Sequence, residues 1–154
     1  MIIVRSVLHN VFVTAVGLVV AFAGTKLDEL LGIAGFQSTA SIAVGSILLV
    51  IGFLMRFWAT YYFYENRMRV IALVPQEVLL TSGPYRYSRN PLYLGGNVFI
   101  FFGASALLGS PAALAITALH LPFVDLFIRR EESQLEQRFG DDWVRYKRST
   151  RRWI

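Results

Sequence analysis

One short polar stretch, residues 82–96, holds most of the side chains that could do chemistry. It reads SGPYRYSRNPLYLGG and combines two arginines, three tyrosines and an asparagine, and an apolar run follows it. Gly83 and Pro84 predict a turn. Pro91 fits the first position of a helix, where its missing N–H costs nothing. Such a stretch presents cations, phenols and backbone donors at the mouth of an apolar helix, which suits the binding of a polar ligand beside lipid.

A second polar stretch comes two apolar segments later. Glu131 and Glu132 open it, and residues 139–146 continue it as FGDDWVRY. Carboxylates suit an ammonium group, and Arg or backbone N–H groups suit a carboxylate. Aromatic rings suit a flat base or a positive sulfur. The alternative interpretation is a solvated helix start, in which the two glutamates pair with Arg129 and Arg130.

The two stretches, in this order, resemble the signatures of a known superfamily. GPYR and RNPLYLG in the first stretch, and the paired glutamates with a later Phe-Gly in the second, are similar to those of the isoprenylcysteine carboxyl methyltransferase and phospholipid methyltransferase superfamily. These are integral membrane enzymes that use S-adenosylmethionine (SAM). The resemblance covers about residues 81–154, which would be the cofactor-binding half of one membrane-embedded domain spanning residues 1–154.

The resemblance implies a role for individual residues. Those expected to bind SAM are Tyr85, Asn90, Tyr93, Gly95, Glu131 and Glu132. Those expected to act in catalysis are Arg89 and Glu132. Of the two glutamates, Glu132 is favoured as the cofactor contact. Arg89 would hold the cofactor carboxylate or orient an anionic acceptor.

Three positions depart from the superfamily pattern. Asn90 stands where the common pattern has His, and Asn keeps a donor and an acceptor but does not titrate near neutral pH. Proton transfer at this position is therefore not expected. Gly95 is followed two positions later by Asn97, where the phospholipid branch favours Gly-x-Gly. Trp143 stands where Tyr is usual.

The implied activity is methyl transfer from SAM to an amphipathic or lipidic acceptor, either an isoprenylcysteine-type carboxylate or a lipid amine, at the cytoplasmic membrane face. Since the cofactor carries the activated group, the protein would mainly bind, orient and desolvate. Two alternatives remain open. One is an NADPH-dependent membrane reductase of similar architecture, and the other is a non-catalytic membrane scaffold.

Composition narrows the class of protein. The chain has 154 residues, of which 55% are hydrophobic, and it has no cysteine. Disulfides and thiolate sites are thereby excluded. His9 and His120 cannot form a zinc site by themselves, so no metal is expected. The net charge is +5, and the basic residues flank apolar runs, as juxtamembrane charges do. The expected partners are therefore the lipid bilayer and a lipophilic or prenylated acceptor, not nucleic acid.

Hydropathy predicts an all-α integral membrane protein with about four transmembrane helices and a C-terminal cytoplasmic helix. The predicted spans are residues 7–25, 39–58, 92–108 and 112–128. A helical continuation over 129–138 should end at Gly140. The rival interpretation of the first span is a cleaved signal peptide.

The distribution of charge predicts the topology. Every Lys and Arg except Lys26 lies before the first span, between the second and third (with Arg56 at the end of the second), or after the fourth. The positive-inside rule then places both termini and both polar stretches in the cytoplasm, where SAM is made. The resemblance is to small prokaryotic-type members, so we expect a multi-pass protein of a bacterial or archaeal cell membrane with its active site facing the cytoplasm.

Several single residues carry narrower expectations. Asp125 should pair with Arg129 one turn later, or border the active cavity. His120 should be a packed helix residue rather than a catalyst. Arg56 and the aromatics after it should form an anchoring belt, or some of the tyrosines among them should wall a substrate entrance. Gly45 and Gly52 should pack helices together, and residues 26–38 should form a surface connection without chemistry.

Overall fold

Four long apolar helices form the molecule. The computed structural model describes residues 1–68, 70 and 76–154, and within these ranges it contains helices and no strand. Each of the four is long and apolar enough to cross a membrane, which confirms the expected all-α architecture. They are α1 (Ile2–Leu31), α2 (Thr39–Glu65), α3 (Pro91–Leu108) and α4 (Pro111–Phe139), and a short helix α5 (Asp141–Ser149) follows them. The resemblance also implies that the connection over residues 65–82 helps to cover the cofactor, and residues 69 and 71–75 of that connection lie outside the described residues.

α1 is longer than predicted at both ends. It ends at Gly32, whose φ of 66° is left-handed and suits glycine. Residues 26–31 are therefore helical, and the predicted connection over 26–38 was too long. The segment has a structural role that the sequence did not indicate. The buried Asp28 accepts hydrogen bonds from Ser110 Oγ at 2.5 Å and from Ala112 N at 2.9 Å, and so joins α1 to the first turn of α4.

α2 also runs past its predicted end at residue 58. Ser38 and Ser41 form a capping box at its start. The aromatic residues after Trp58 are compatible with a helix, and α2 continues to Glu65. As a result, Arg56 lies inside a membrane-spanning helix and is only 9% exposed. The expectation that Arg56 belongs to an interfacial belt was wrong.

Glycines bring α2 and α3 into close contact. A Cβ on Gly45 would lie 2.5 Å from Leu107 N, and one on Gly52 would lie 2.7 Å from Gly95 O. The expected packing role of Gly45 and Gly52 is confirmed. Pro91 occupies the first position of α3, as predicted, and residues 94–100 of that helix are π-helical. π-Helical turns often occur at functional sites.

α5 holds the first polar stretch against the helices. Gly140 ends α4, as predicted, and α5 then folds back. Trp143 and Tyr146 are buried with Tyr85 in one cluster, and Tyr146 Oη donates to Tyr85 O at 2.6 Å. Tyr85 lies in a 3₁₀ turn, Gly83–Arg86. The two polar stretches of the sequence are thereby packed together at one end of the helices.

Candidate functional site

A cavity of about 640 Å³, called here the main cavity, lies where the two polar stretches meet the helices. Five of the seven residues expected at the site line it, and Gly95 and Glu132 do not. The five are Tyr85, Arg89, Asn90, Tyr93 and Glu131. The cavity is within the size range of small-molecule and cofactor sites.

Glu131 and the two tyrosines define the polar end of the main cavity. Tyr93 Oη donates a hydrogen bond to Glu131 Oε1 at 2.9 Å, so α3 and α4 meet at this point. The Tyr85 hydroxyl is buried and has no hydrogen-bond partner among the residues described. Burial raises the pKa of Tyr85 well above its ordinary value, with Tyr146 adding to the rise and the nearby Arg56 cation opposing it. Tyr85 is therefore a neutral donor that faces the cavity.

Glu132 points away from the main cavity. Consecutive helix residues are turned by about 100° from each other, so adjacent glutamates face different sides of α4. Glu132 Oε1 accepts from Arg89 Nε at 3.1 Å, and Oε2 accepts from Arg152 Nη2 at 2.6 Å. Glu132 instead lines a second, smaller pocket with Arg152. The geometry therefore does not favour the expectation that Glu132, rather than Glu131, contacts the cofactor.

Arg89 fastens the C-terminal segment to the first polar stretch. Its Nη1 donates to the carbonyl oxygens of Lys147 and Thr150 at 2.9 and 2.6 Å, and its backbone N–H donates to Arg151 O at 2.9 Å. The hydrogen bond to Glu132 raises the pKa of Arg152. Together, the side chains of Arg89, Glu132 and Arg152 form what we call the C-terminal clamp.

Asn90 and Gly95 have different surroundings. Asn90 lines the main cavity, and its Nδ2 donates to Arg152 O at 3.2 Å. Gly95 packs against α2, where a Cβ would lie 2.9 Å from Gly52 O. Its neighbour Gly96 is the glycine that lines the main cavity. The motif glycine expected at the cofactor therefore serves helix packing in this structure.

The other end of the main cavity is apolar and belongs to α1. Phe12, Val13 and Val16 line it, together with Phe101 of α3. Phe12 is 67% exposed and Val16 is 37% exposed. α1 is also a candidate membrane span, so one helix contributes both to the cavity lining and to the apolar surface that lipid would cover. The main cavity thus joins the polar motif residues to apolar side chains of α1.

Arg56 is a cavity residue that the sequence did not identify. Its Nη1 donates to Leu92 O at 2.8 Å, and its Nη2 lies 2.9 Å from His9 Nε2. Because a guanidinium can only donate, Nε2 is the unprotonated nitrogen and the imidazole is neutral. A signal was present in the sequence, since Arg56 lies nine positions before Glu65 with no helix breaker between them.

The remaining single-residue expectations have clear outcomes. His120 is packed, with Nε2 3.0 Å from Asn97 Oδ1 and its ring stacked on Phe101, as expected. The ion pair between Asp125 and Arg129 is confirmed at 2.6 Å. Asp125 also pairs with Arg152 at 3.2 Å. Four aromatics after Arg56 do not line the main cavity, although Phe63 of the same helix does, so the belt interpretation suits these four better than the entrance. They are Trp58, Tyr61, Tyr62 and Tyr64.

Comparison with known proteins assigns the chain to a family. A model of the phospholipid methyltransferase family matches residues 40–142, which is more than half of the chain. The match includes α3, α4 and nearly all of α2, and it leaves out α1 and the residues after 142. No curated protein and no solved structure matches the chain. Within the described ranges there is no group of three or more His, Cys, Asp or Glu that could hold a metal ion.

Proposed function

The chain belongs to the phospholipid methyltransferase family, and we propose that it transfers a methyl group from SAM to an amphipathic or lipidic acceptor within the membrane. One observation carries this proposal. A single cavity joins the polar residues of both motifs to apolar side chains of α1, which is a candidate membrane span. A water-soluble cofactor and a lipid-soluble acceptor need such a cavity in order to meet.

The polar end of the main cavity fits the chemistry of SAM. The Glu131 carboxylate suits the cofactor's ammonium group, and the Arg67 guanidinium suits its carboxylate. The Tyr93 ring suits the adenine or the positive sulfur. These groups converge on one space, and the donor set includes both charges that a zwitterionic ligand requires. We therefore propose Arg67, Asn90, Tyr93 and Glu131 as the cofactor-binding residues, and we place Tyr85 at the acceptor side of the cavity.

The chain's own residues would bind and orient the cofactor and the acceptor, and they would exclude water from the site. SAM, when bound, supplies a methyl group that is already activated on its sulfonium. Tyr93 holds the Glu131 carboxylate at 2.9 Å and so fixes the position of the ammonium-binding group. Arg89 and Glu132 are positioning residues in this proposal, because their contacts hold the C-terminal segment against the polar stretch. Holding the cofactor and the acceptor at a fixed distance contributes a large part of the rate acceleration that such a transfer needs.

The proposed orientation follows from the positive charges. The first motif lies at the start of α3 and the second at the end of α4, and both are at the Arg-rich end of the helices. The positive-inside rule assigns this end to the cytoplasm. SAM would then enter from the cytoplasm of a bacterial or archaeal cell, and the acceptor would enter from the bilayer past α1.

The test is direct binding of S-adenosylhomocysteine (SAH) to the detergent-purified protein by calorimetry. We expect micromolar binding that weakens at least about tenfold in Glu131→Gln, since a hydrogen bond to a charged group contributes roughly 1.5–3 kcal/mol. Glu136→Gln is the matched control, because Glu136 is on the same helix, exposed, and outside the main cavity. Folded protein that binds NADPH and neither SAM nor SAH would refute the proposal in favour of a reductase.

A further inference from the structure

Arg56 is a buried cation that has no carboxylate partner in the described part of the chain. It lies in the membrane-spanning α2, it is 9% exposed, and it makes no ion pair with any residue that the structure describes. Its guanidinium contacts the carbonyl of Leu92 and His9. Burying a guanidinium within a membrane-spanning helix is expensive and points to a functional role. Neither the carbonyl nor a neutral imidazole compensates the charge.

Two donors of the main cavity lack a partner among the described residues. Arg56 Nε and Tyr85 Oη are both buried and have no hydrogen-bond partner in the described part of the chain. Both residues line the main cavity. A buried donor left unsatisfied costs roughly 1–3 kcal/mol. An anionic oxygen group that reached both donors would satisfy them and compensate the charge.

The location of Arg56 favours the acceptor over the cofactor as the source of that anion. His9, which contacts the guanidinium, lies about one helical turn before Phe12 and Val13, and these line the apolar end of the cavity. An anion held at Arg56 would therefore have apolar side chains of α1 beside it, on a helix that is a candidate membrane span. Such surroundings suit a charged group attached to a hydrocarbon chain.

Gly96 makes room for this guanidinium. A Cβ on Gly96 would lie 2.9 Å from Arg56 Nη1, which is the far end of a flexible side chain. An alanine at position 96 would therefore displace the guanidinium rather than backbone. Gly96, the neighbour of the motif residue Gly95, thus leaves the space that Arg56 occupies.

From these contacts we propose that Arg56, oriented by His9 and assisted by the Tyr85 hydroxyl, binds an anionic oxygen group of the lipidic acceptor, a phosphate or a carboxylate, beside its apolar chain. This inference rests on the proposed function, whose site it shares. Arg56 would then determine which lipids the enzyme accepts.

The test measures lipid binding directly, with probes that share one chain and differ in charge. The first pair is oleoyl lysophosphatidic acid and monooleoylglycerol. The second pair is an amino-blocked S-farnesylcysteine and its methyl ester. Binding to protein in dodecyl maltoside micelles is followed by tryptophan fluorescence, and SAH binding is measured on the same samples. The first pair reports a phosphate and the second a carboxylate.

We expect the wild-type protein to bind the anionic member of at least one pair about tenfold or more tightly than its neutral partner. Arg56→Gln should abolish this preference and leave SAH affinity within about twofold. Gly96→Ala should reduce the preference for the anionic lipid while keeping the charge of Arg56. This variant replaces Arg56→Gln in the test if Arg56→Gln does not fold. Arg145→Gln is the control, since Arg145 lies in α5 and outside the main cavity.

Two outcomes would overturn the inference. One is a wild-type protein that binds both members of each pair equally. The other is an Arg56→Gln protein that loses SAH binding and keeps the lipid preference, which would assign Arg56 to the cofactor. Absence of SAH binding in the wild type would instead count against the proposed function, so the two failures are distinguishable.

Discussion

Replacing Glu131 and Glu132 by glutamine, one at a time, should affect two different properties of the protein. Glu132 is 6% exposed and lies between two guanidinium groups, 3.0 Å from Arg89 Nη2 and 2.6 Å from Arg152 Nη2. Glu132→Gln keeps the size and one acceptor oxygen but removes the charge. Glu131→Gln removes a charge that faces the main cavity. We expect the first change to lower stability and the second to weaken SAH binding.

The size of the stability effect follows from burial. The side chains of Arg89 and Glu132 are each 8% exposed, so removing one charge leaves the other buried without its partner. Breaking a buried pair in this way costs about 3–5 kcal/mol. Arg152 adds little, because it is 26% exposed and keeps Asp125. Since glutamine retains one acceptor, we expect the lower end, about 3 kcal/mol, or roughly 6–12 °C in melting temperature.

The assay is thermal unfolding in detergent, followed by tryptophan fluorescence, with SAH calorimetry well below the transition. Glu136→Gln is the control, since Glu136 forms an exposed pair with Lys147 at 3.3 Å that should contribute less than about 1 kcal/mol. The reasoning is refuted if Glu132→Gln unfolds at the wild-type temperature and loses SAH binding while Glu131→Gln binds normally. Glu132 would then be the cofactor contact.

Two further predictions concern helix packing. Asp28→Asn should lower the free energy of unfolding by about 1–2 kcal/mol, because it weakens the cap on α4, and should leave SAH affinity unchanged. Glu29→Gln is the exposed control. Equal melting temperatures of the Asp28→Asn and wild-type proteins would contradict the prediction. Gly45→Ala should sharply reduce the yield of monodisperse protein in size-exclusion chromatography, since its Cβ would lie 2.5 Å from backbone on α3. Val44→Ala, at an exposed neighbour, should behave as wild type, and a normal yield of Gly45→Ala would show that the helices can separate.

Local signals predicted the helix ends that local residues determine. Pro91, the reversal before Pro111 and the stop at Gly140 are all within one or two residues of the observed boundaries. The ends of α1 and α2 could not be predicted in this way. The charged residues after Thr25 and the aromatics after Trp58 mark the edge of an apolar run, and yet both are compatible with a continuing helix. Hydropathy locates the membrane, whereas helix ends depend on caps.

The site was predictable in part for a similar reason. The resemblance brought Tyr93 and Glu131 together, and they are hydrogen-bonded. It could not tell which glutamate faces the cavity, because that depends on the rotation of α4 about its axis. The roles of Asp28 and Arg56 were not predicted, because the partners of both residues are distant in sequence. Asp28 bonds to residues more than 80 positions away, and Arg56 contacts His9 across 47 positions. No short motif contains such pairs.

The two parts of the chain outside the family match complete the candidate site. α1 supplies His9 beside Arg56 and the apolar wall at Phe12, and the C-terminal segment supplies Arg152 to the clamp. The matched residues 40–142 contain Tyr93 and Glu131, which the proposed function assigns to SAM. Under that function, the matched region holds the cofactor, which is common to all methyl acceptors, and α1 borders the acceptor. Specificity for the lipid should therefore follow the sequence of α1 together with Arg56 of α2 rather than that of the motifs, because these residues line the cavity without belonging to either motif.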